Sequence, residues 1–134
     1  MTDLPVVPVS WGELIDKLTI LEIKSTRLTD PSQLVHVHTE LACLRQAAVN
    51  RVGDVRELPR LQAALKELNA SLWQVEDEIR ACEGQQDFGP RFIELARSVY
   101  RYNDQRAELK RRINTLLGAA FSEQKSYTRY EANQ

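Results

Sequence analysis

The chain has 134 residues, of which 43% are hydrophobic and 28% are charged, and its formal net charge is −1. These totals predict one soluble globular domain over residues 1–134, and they favour neither nucleic acid nor a membrane surface as a partner. No run approaches the roughly 18 apolar residues of a membrane span. Residues 1–8 lack the basic start and apolar run of a signal peptide, so we expect a cytoplasmic protein.

Four helices are predicted along the chain, each bounded by capping or breaking residues. Residues 1–9 contain two prolines and predict an extended lead-in that packs on the rest of the protein. Ser10 and Glu13 form a capping box that begins helix 1, which runs to about Leu28. The later elements are helix 2 from Asp30-Pro31 to about Val52, helix 3 from after Gly53-Asp54 to about Glu83, a turn over 84–89, helix 4 from Pro90 to about Gly118, and a polar tail over 119–134.

Helices 3 and 4 each carry an apolar heptad seam, with positions that alternate three and four residues apart. On helix 3 the seam is Leu58, Leu61, Leu65, Leu68, Leu72, Val75, Ile79 and Cys82; on helix 4 it is Phe92, Leu95, Val99, Tyr102, Arg106, Leu109, Ile113 and Leu116. If the chain folds back near Gln85, Cys82 faces Phe92, Leu65 faces Leu109, and every seam residue has a partner. This agreement predicts an antiparallel coiled-coil hairpin.

The charges of the two arms support the same pairing. Residues 54–84 carry four Lys or Arg against seven Asp or Glu, and residues 91–112 carry seven against three. Opposite net charges of −3 and +4 on facing arms are typical of an antiparallel pair that fixes its register. The predicted fold class is therefore all-α, with helices 3 and 4 as a long hairpin and helices 1 and 2 packed alongside in a four-helix, bundle-like arrangement.

Helix 1 is apolar on two faces and also carries two carboxylates within its apolar zones. Its leucines lie on one face, whereas Ile20 and Ile23 lie on the other, which predicts a helix covered from both sides by the hairpin and by the lead-in, the tail or a second subunit. Asp16 and Glu22 would be costly to bury without partners. Each either anchors an arginine or a backbone amide, or forms the floor of a polar pocket.

Helix 4 supplies basic residues that match these acids. Arg106 occupies a seam position where an apolar residue is expected, and it needs an acidic partner, for which Asp16 and Glu22 are the candidates. Two interpretations stay open for the surrounding polar residues: an interhelical lattice of salt bridges, with Trp73 stacked near Arg101, or a groove that binds a carboxylate or phosphate. The candidate groove residues are Asp16, Glu22, Trp73, Asp77, Arg97, Tyr100, Asn103, Asp104 and Arg106.

Signals for catalysis, metals and cofactors are weak. His36, His38 and Glu40 lie close together on helix 2, but no second histidine-bearing helix completes a metal site. The chain has no phosphate-binding glycine loop and no nucleophile motif, so no catalytic residue, metal or cofactor is predicted. Cys43 and Cys82 are too few for a disulfide framework, and we expect two reduced thiols.

Several separated blocks resemble an uncharacterised bacterial family of small helical proteins. The first block, Val9-Ser10-Trp11-Gly12-Glu13-Leu14-Ile15-Asp16-Lys17-Leu18-Thr19-Ile20-Leu21-Glu22-Ile23-Lys24, is similar to the opening signature of that family. Residues 72–80, 92–100, 103–107 and 123–127 fit it too. The resemblance implies a domain of unknown function, without established catalytic residues, whose members accompany cell-envelope polysaccharide or glycosyltransferase proteins.

Three functions follow as hypotheses. The first is a helical interaction or scaffold module that forms a homo-oligomer or docks on a larger protein. The second is a small all-α enzyme or a binder of a small anionic molecule, with Arg106, Asp16 and Glu22 at its site. The third, nucleic-acid binding through Lys110, Arg111 and Arg112, is disfavoured by the acidic arm opposite.

Overall fold

The computed structural model describes residues 4–52 and 55–118, except for the side chains of residues 50–52. Within these ranges the chain forms four helices and no strand: α1 (Trp11–Arg27), α2 (Pro31–Val52), α3 (Leu58–Gly84) and α4 (Pro90–Leu117). The predicted boundaries are confirmed to within about two residues, except that α3 begins only at Leu58, after residues 55–57. None of the described helices is both long enough and apolar enough to cross a bilayer.

The helix ends follow from the predicted capping residues. The Ser10 hydroxyl accepts the backbone N–H of Glu13 at 3.2 Å, and Asp30 accepts the N–H of Ser32 at 3.0 Å. These bonds satisfy N–H groups that have no partner within a first helical turn. At the other end of the chain, Gly118 ends α4 with φ at 64°, a left-handed conformation that favours glycine.

The predicted antiparallel hairpin of α3 and α4 is confirmed, since these two helices form the most extensive packing among the four described helices. We call residues 58–70 and 104–117 the hairpin base, and residues 71–84 and 90–103 the distal arm. In the base, hairpin leucines such as Leu65 share one apolar cluster with α1 and α2. In the distal arm, a second cluster around Val75, Cys82 and Leu95 contains residues of α3 and α4 alone.

Helix α1 lies at the centre of the fold and contacts each of the other three helices. The prediction that α1 is covered from both sides is therefore confirmed. The hairpin packs on one side of α1, and α2 packs on the other. Val37, Leu41 and Ala48 of α2 join the apolar cluster, and Ile23 of α1 is buried. The predicted four-helix, bundle-like arrangement is thus confirmed, and within it α2 packs mainly on α1.

Residues 4–9, the described part of the predicted lead-in, form neither helix nor strand. Their apolar side chains are exposed, and Val6 is 94% exposed, which differs from the expected packing on the rest of the protein. The outer side of α1 is covered by α2. The tail over 119–134 lies outside the described residues.

The seam of α4 departs from the heptad prediction near its end. Leu116, a predicted seam residue, is 36% exposed, whereas its neighbour Leu117 is 1% exposed. The buried residues in this part of the helix include Ala107, Lys110, Asn114 and Leu117, which repeat at three and four residues. This second stripe is shifted by one position from the predicted seam, because α4 packs on α1 as well as on α3 in the base.

Candidate functional site

A buried, two-pronged ion pair joins α1 to α4. Asp16 is 1% exposed, and both of its carboxylate oxygens accept hydrogen bonds from Arg106, at 2.9 Å from Nε and 2.6 Å from Nη2. This is the two-pronged geometry in which a guanidinium and a carboxylate bind most strongly. Of the two predicted acidic partners, Asp16 is therefore the one that binds Arg106. An arginine is accommodated at this seam position because α1 brings the Asp16 carboxylate against the hairpin.

Helix α3 completes the network around Asp16. Asn69 is buried and donates from Nδ2 to Asp16 at 2.9 Å and to the hydroxyl of Thr19 at 2.9 Å. That hydroxyl in turn donates to the backbone carbonyl of Asp16 at 2.7 Å. The buried carboxylate thus has donors from two hairpin helices, which offsets the cost of removing it from water. We call Asp16, Thr19, Asn69 and Arg106 the Asp16 network.

One turn before Asp16, α1 approaches α4 very closely at Gly12. The backbone N–H of Gly12 donates to Asn114 Oδ1 at 2.6 Å. A Cβ added at Gly12 would collide with the backbone carbonyl of Lys110 and lie 3.0 Å from that Asn114 oxygen. Only glycine fits here, because any side chain would push the two helices apart.

Two further polar groups surround this crossing. Lys110 is 6% exposed, and its ammonium group lies 2.8 Å from a carboxylate oxygen of Glu13. The amide nitrogen of Asn114 is buried and has no hydrogen-bond partner among residues 4–52 and 55–118. Its carbonyl oxygen is already committed to Gly12, so the amide cannot be turned over without losing that bond.

Glu22 belongs to a separate group of charges on the other side of α1. It pairs with Arg45 of α2 at 3.2 Å and lies 4.0 Å from Lys66 of α3, and its side chain is 23% exposed. Glu22 is thus partly open to water, and its pair with Arg45 agrees with the interpretation in which it anchors an arginine. A cavity of about 380 Å³ lies nearby, between α1 and α3, with Ile23, Ala63, Lys66 and Ala70 among its lining residues.

The other candidate groove residues lie along the distal arm and at its junction with the base. Asp77, Arg97 and Asp104 are exposed and form no ion pair with any residue in the described part of the chain, so the predicted lattice around Arg97 does not form there. Trp73 and Asn103 are half-buried, and Tyr100 is 40% exposed.

The ion pairs that the distal arm does form are different ones. Arg91 of α4 binds Glu78 of α3 at 2.8 Å, which ties the two arms together near the turn. Arg101 binds Glu94 of its own helix at 3.3 Å, instead of stacking on Trp73 as predicted. The structure therefore brings together Asp16 and Arg106, and it leaves the remaining candidates spread along the hairpin.

Neither a metal site nor a thiol pair emerges from the geometry of residues 4–52 and 55–118. His36 and His38 are exposed, and Glu40 lies 3.5 Å from Lys17; no cluster of three metal-binding side chains occurs in these ranges. Cys43 is exposed on α2, and Cys82 is buried in the distal arm.

The sequence model of one protein family matches residues 6–132, nearly the whole chain. The chain belongs to DUF6165, a family of unknown function. The search of curated proteins and the search of solved structures give no significant match. Membership of DUF6165 confirms the resemblance to an uncharacterised family, but it assigns no activity, partner or site residue.

Only part of this group of buried polar residues was predictable from the sequence of this DUF6165 chain. Asp16 was identified from its place in an apolar zone and Arg106 from its place in a seam, and both belong to one contact. Asn69 and Asn114 were not predicted, and Lys110, a candidate for nucleic-acid binding, is instead buried against Glu13. All three lie one position away from a heptad seam, where polar residues are ordinary, so nothing in the sequence marked them as buried.

Proposed function

We propose that the chain is a helical protein–protein interaction module whose distal arm binds another protein chain. The observation that carries this proposal is an apolar surface on a projecting pair of helices. Ile93 is 47% exposed and Tyr100 is 40% exposed on α4, and Phe88 in the adjoining turn is 51% exposed. A row of exposed large apolar side chains on a two-helix arm is typical of a binding surface.

The base of the hairpin supports this function as an anchor. The Asp16 network joins α1 to both hairpin helices, and α1 in turn is covered by α2. The arm therefore projects from a base that is braced on one side. At the turn, Phe88 and Phe92 meet edge to face with ring centres 5.3 Å apart, which orders the apolar side chains there.

The alternative, a binder of small anions, draws less support from the geometry. Arg106 is the basic residue nearest the buried acid, and two donors of its guanidinium group are already committed to Asp16. A carboxylate or phosphate ligand would have to compete with that internal carboxylate. The contact is better explained as a brace between helices.

The proposed partner is a protein, either a second copy or a larger chain. The resemblance described above directs the search for a larger partner to cytoplasmic components that accompany cell-envelope polysaccharide or glycosyltransferase proteins. Nucleic acid fits poorly, because the distal part of α3 presents Glu76, Asp77 and Glu83 to solvent.

Affinity purification from the native cell tests the proposal when three chains are compared. The wild-type chain should retain a set of proteins that the Ile93→Glu variant loses at least tenfold. The control is Val35→Glu, which places the same charge on a 63% exposed valine of α2 and should retain the set. Equal retention by all three chains, with unchanged far-UV circular dichroism, would contradict a role for the distal arm.

A further inference from the structure

One side of the hairpin receives α1 in the base and continues without α1 along the distal arm. On α3, Lys66 and Asn69 contact α1; on α4, Lys110 and Asn114 do. In a coiled-coil pair, residues seven and fourteen positions apart lie on the same side. The continuation of this side, which we call the distal face, is Trp73, Glu76, Arg80 and Glu83 on α3, and Ala96, Tyr100 and Asn103 on α4 with Ile93 one further heptad along.

The distal face has the pattern of a helix-packing surface. Ile93, Ala96 and Tyr100 repeat at three and four residues, in line with the stripe of α4 that α1 buries further down the helix. A helix that meets water on this side would carry polar residues at these positions. Instead, Ile93 is 47% exposed and Ala96 is exposed.

We propose that the distal face binds the same face of a second copy of this chain, which specifies the partner of the interaction module proposed above. Helix α1 already fills this side of the base. The second hairpin must therefore run antiparallel to the first, with its turn pointing towards the α1 helix of the first copy. A two-fold axis across the middle of both distal arms produces this arrangement.

The residues of the distal face are complementary to themselves in that register. The hairpin pairing that aligns Cys82 with Phe92 also aligns Glu78 with Ala96, at the middle of the arm. An axis at that level brings Ala96 against Ala96 of the second copy, where two small residues let the helices approach. The same axis brings Ile93 to within one residue of the level of Tyr100 of the second copy, so the two side chains lie side by side.

The charged residues on α3 match across the same axis. Glu76 and Arg80 are both exposed and lie two residues on either side of Glu78. The two-fold operation therefore places Glu76 opposite Arg80 of the second copy, and Arg80 opposite Glu76. One axis thus places the small, apolar and charged side chains of both helices next to suitable side chains of the second copy. Electrostatic complementarity of this kind specifies the partner and the register.

The contact is short, so the dimer is expected to be weak and reversible. Eleven residues of α4, from Ile93 to Asn103, extend over about 16 Å. An interface of this length lies at the lower end of the sizes seen for specific protein contacts. Association should therefore depend on protein concentration in the micromolar range.

Two variants that reverse the charge of Glu76 or of Arg80 test the dimer directly, with the association of the full chain measured by sedimentation velocity. Glu76→Arg leaves two arginines on the α3 edge, and Arg80→Glu leaves two glutamates. Each variant alone places like charges across the axis and should associate at least tenfold more weakly than the wild type. An equimolar mixture should form a heterodimer with close to wild-type affinity. Mixing cannot restore a pair within one helix, so it isolates the contact between chains.

The matched control exchanges an exposed glutamate and arginine four residues apart elsewhere on α4. Glu108→Arg and Arg112→Glu alter the Glu108–Arg112 pair of the base and should leave association unchanged. A wild-type chain that stays monomeric would overturn the proposal and would assign the face to another protein or to residues 119–134. Unaltered association of the single variants, or no recovery in the mixture, would overturn it equally. Affinity purification could still succeed in each of these cases, so failure of the dimer is distinguishable from failure of the interaction module.

Discussion

The Asp16 network makes a sharp prediction about stability, because its two charged members differ in access to water. Asp16 is 1% exposed, whereas the side chain of Arg106 is 29% exposed. The Arg106→Met variant removes the charge that neutralises Asp16 and leaves a carboxylate buried with Asn69 as its remaining partner in the network. Breaking a buried pair in this way costs about 3–5 kcal/mol. We expect the free energy of unfolding to fall by that amount.

The reverse substitution should cost less. Asp16→Asn keeps the shape of the side chain and an oxygen that can accept from Asn69, and it leaves behind Arg106, which can turn towards water. The loss is that of hydrogen bonds to a charged group, about 1.5–3 kcal/mol. In the Arg106→Met background the same substitution removes the isolated buried charge, so it should raise the stability instead of lowering it.

Urea unfolding followed by circular dichroism at about 222 nm, where helices absorb, measures all four members of this cycle. The control is Arg101→Met, which breaks the exposed pair with Glu94 and should cost less than about 1 kcal/mol. If Asp16→Asn destabilises the Arg106→Met chain by as much as it destabilises the wild type, the two residues are not coupled. The brace between α1 and α4 would then be refuted, and the ligand-binding hypothesis for Arg106 would gain ground.

Three further predictions test the packing around the network. Gly12→Ala should lower stability by about 1–3 kcal/mol, because its Cβ would collide with α4, whereas Gly84→Ala meets no atom within 4 Å and should be neutral or stabilising in a thermal melt. In urea unfolding, Leu117→Ala should lower the free energy of unfolding by about 2–5 kcal/mol and Leu116→Ala by under about 1 kcal/mol. A larger loss for Leu116→Ala would show that Leu116 is the buried residue, as the heptad seam predicts. Asn69→Asp places a second carboxylate against the buried one and should destabilise more than Asn69→Leu at neutral pH, and equal losses would contradict the hydrogen-bond assignment.

The fold was predictable from the sequence wherever one physical signal decided it. The heptad seams of α3 and α4 identify each other because each needs an apolar partner of the same length, and the caps at Ser10 and Asp30 set the starts of α1 and α2. The position of α2 was not predictable in this way. Its apolar stripe fits any apolar surface, and nothing local to α2 distinguishes the hairpin from α1.

The candidate site was predictable for its charged members and not for its neutral ones. A carboxylate in an apolar zone and an arginine in a seam each violate a burial rule, so Asp16 and Arg106 stand out. Asn69 violates no such rule, since an asparagine one position from a seam is ordinary on a half-exposed helix side. Its role becomes visible only when the tertiary structure brings α1 against α3.

The Asp16 network also determines how much of the hairpin stays available for binding. Asp16 takes one donor from α3 and two from α4, so a slip of α1 by one turn, about 5.4 Å, would leave its carboxylate buried without them. The close approach at Gly12 opposes the same slip, because any other residue of α1 would collide with the carbonyl of Lys110. The polar network therefore holds α1 on the base, and Ile93, Ala96 and Tyr100 stay beyond its reach. The stripe of α4 that is buried in one half of the hairpin is exposed in the other half because the position of α1 is fixed by hydrogen bonds, whereas apolar packing alone would let α1 slide.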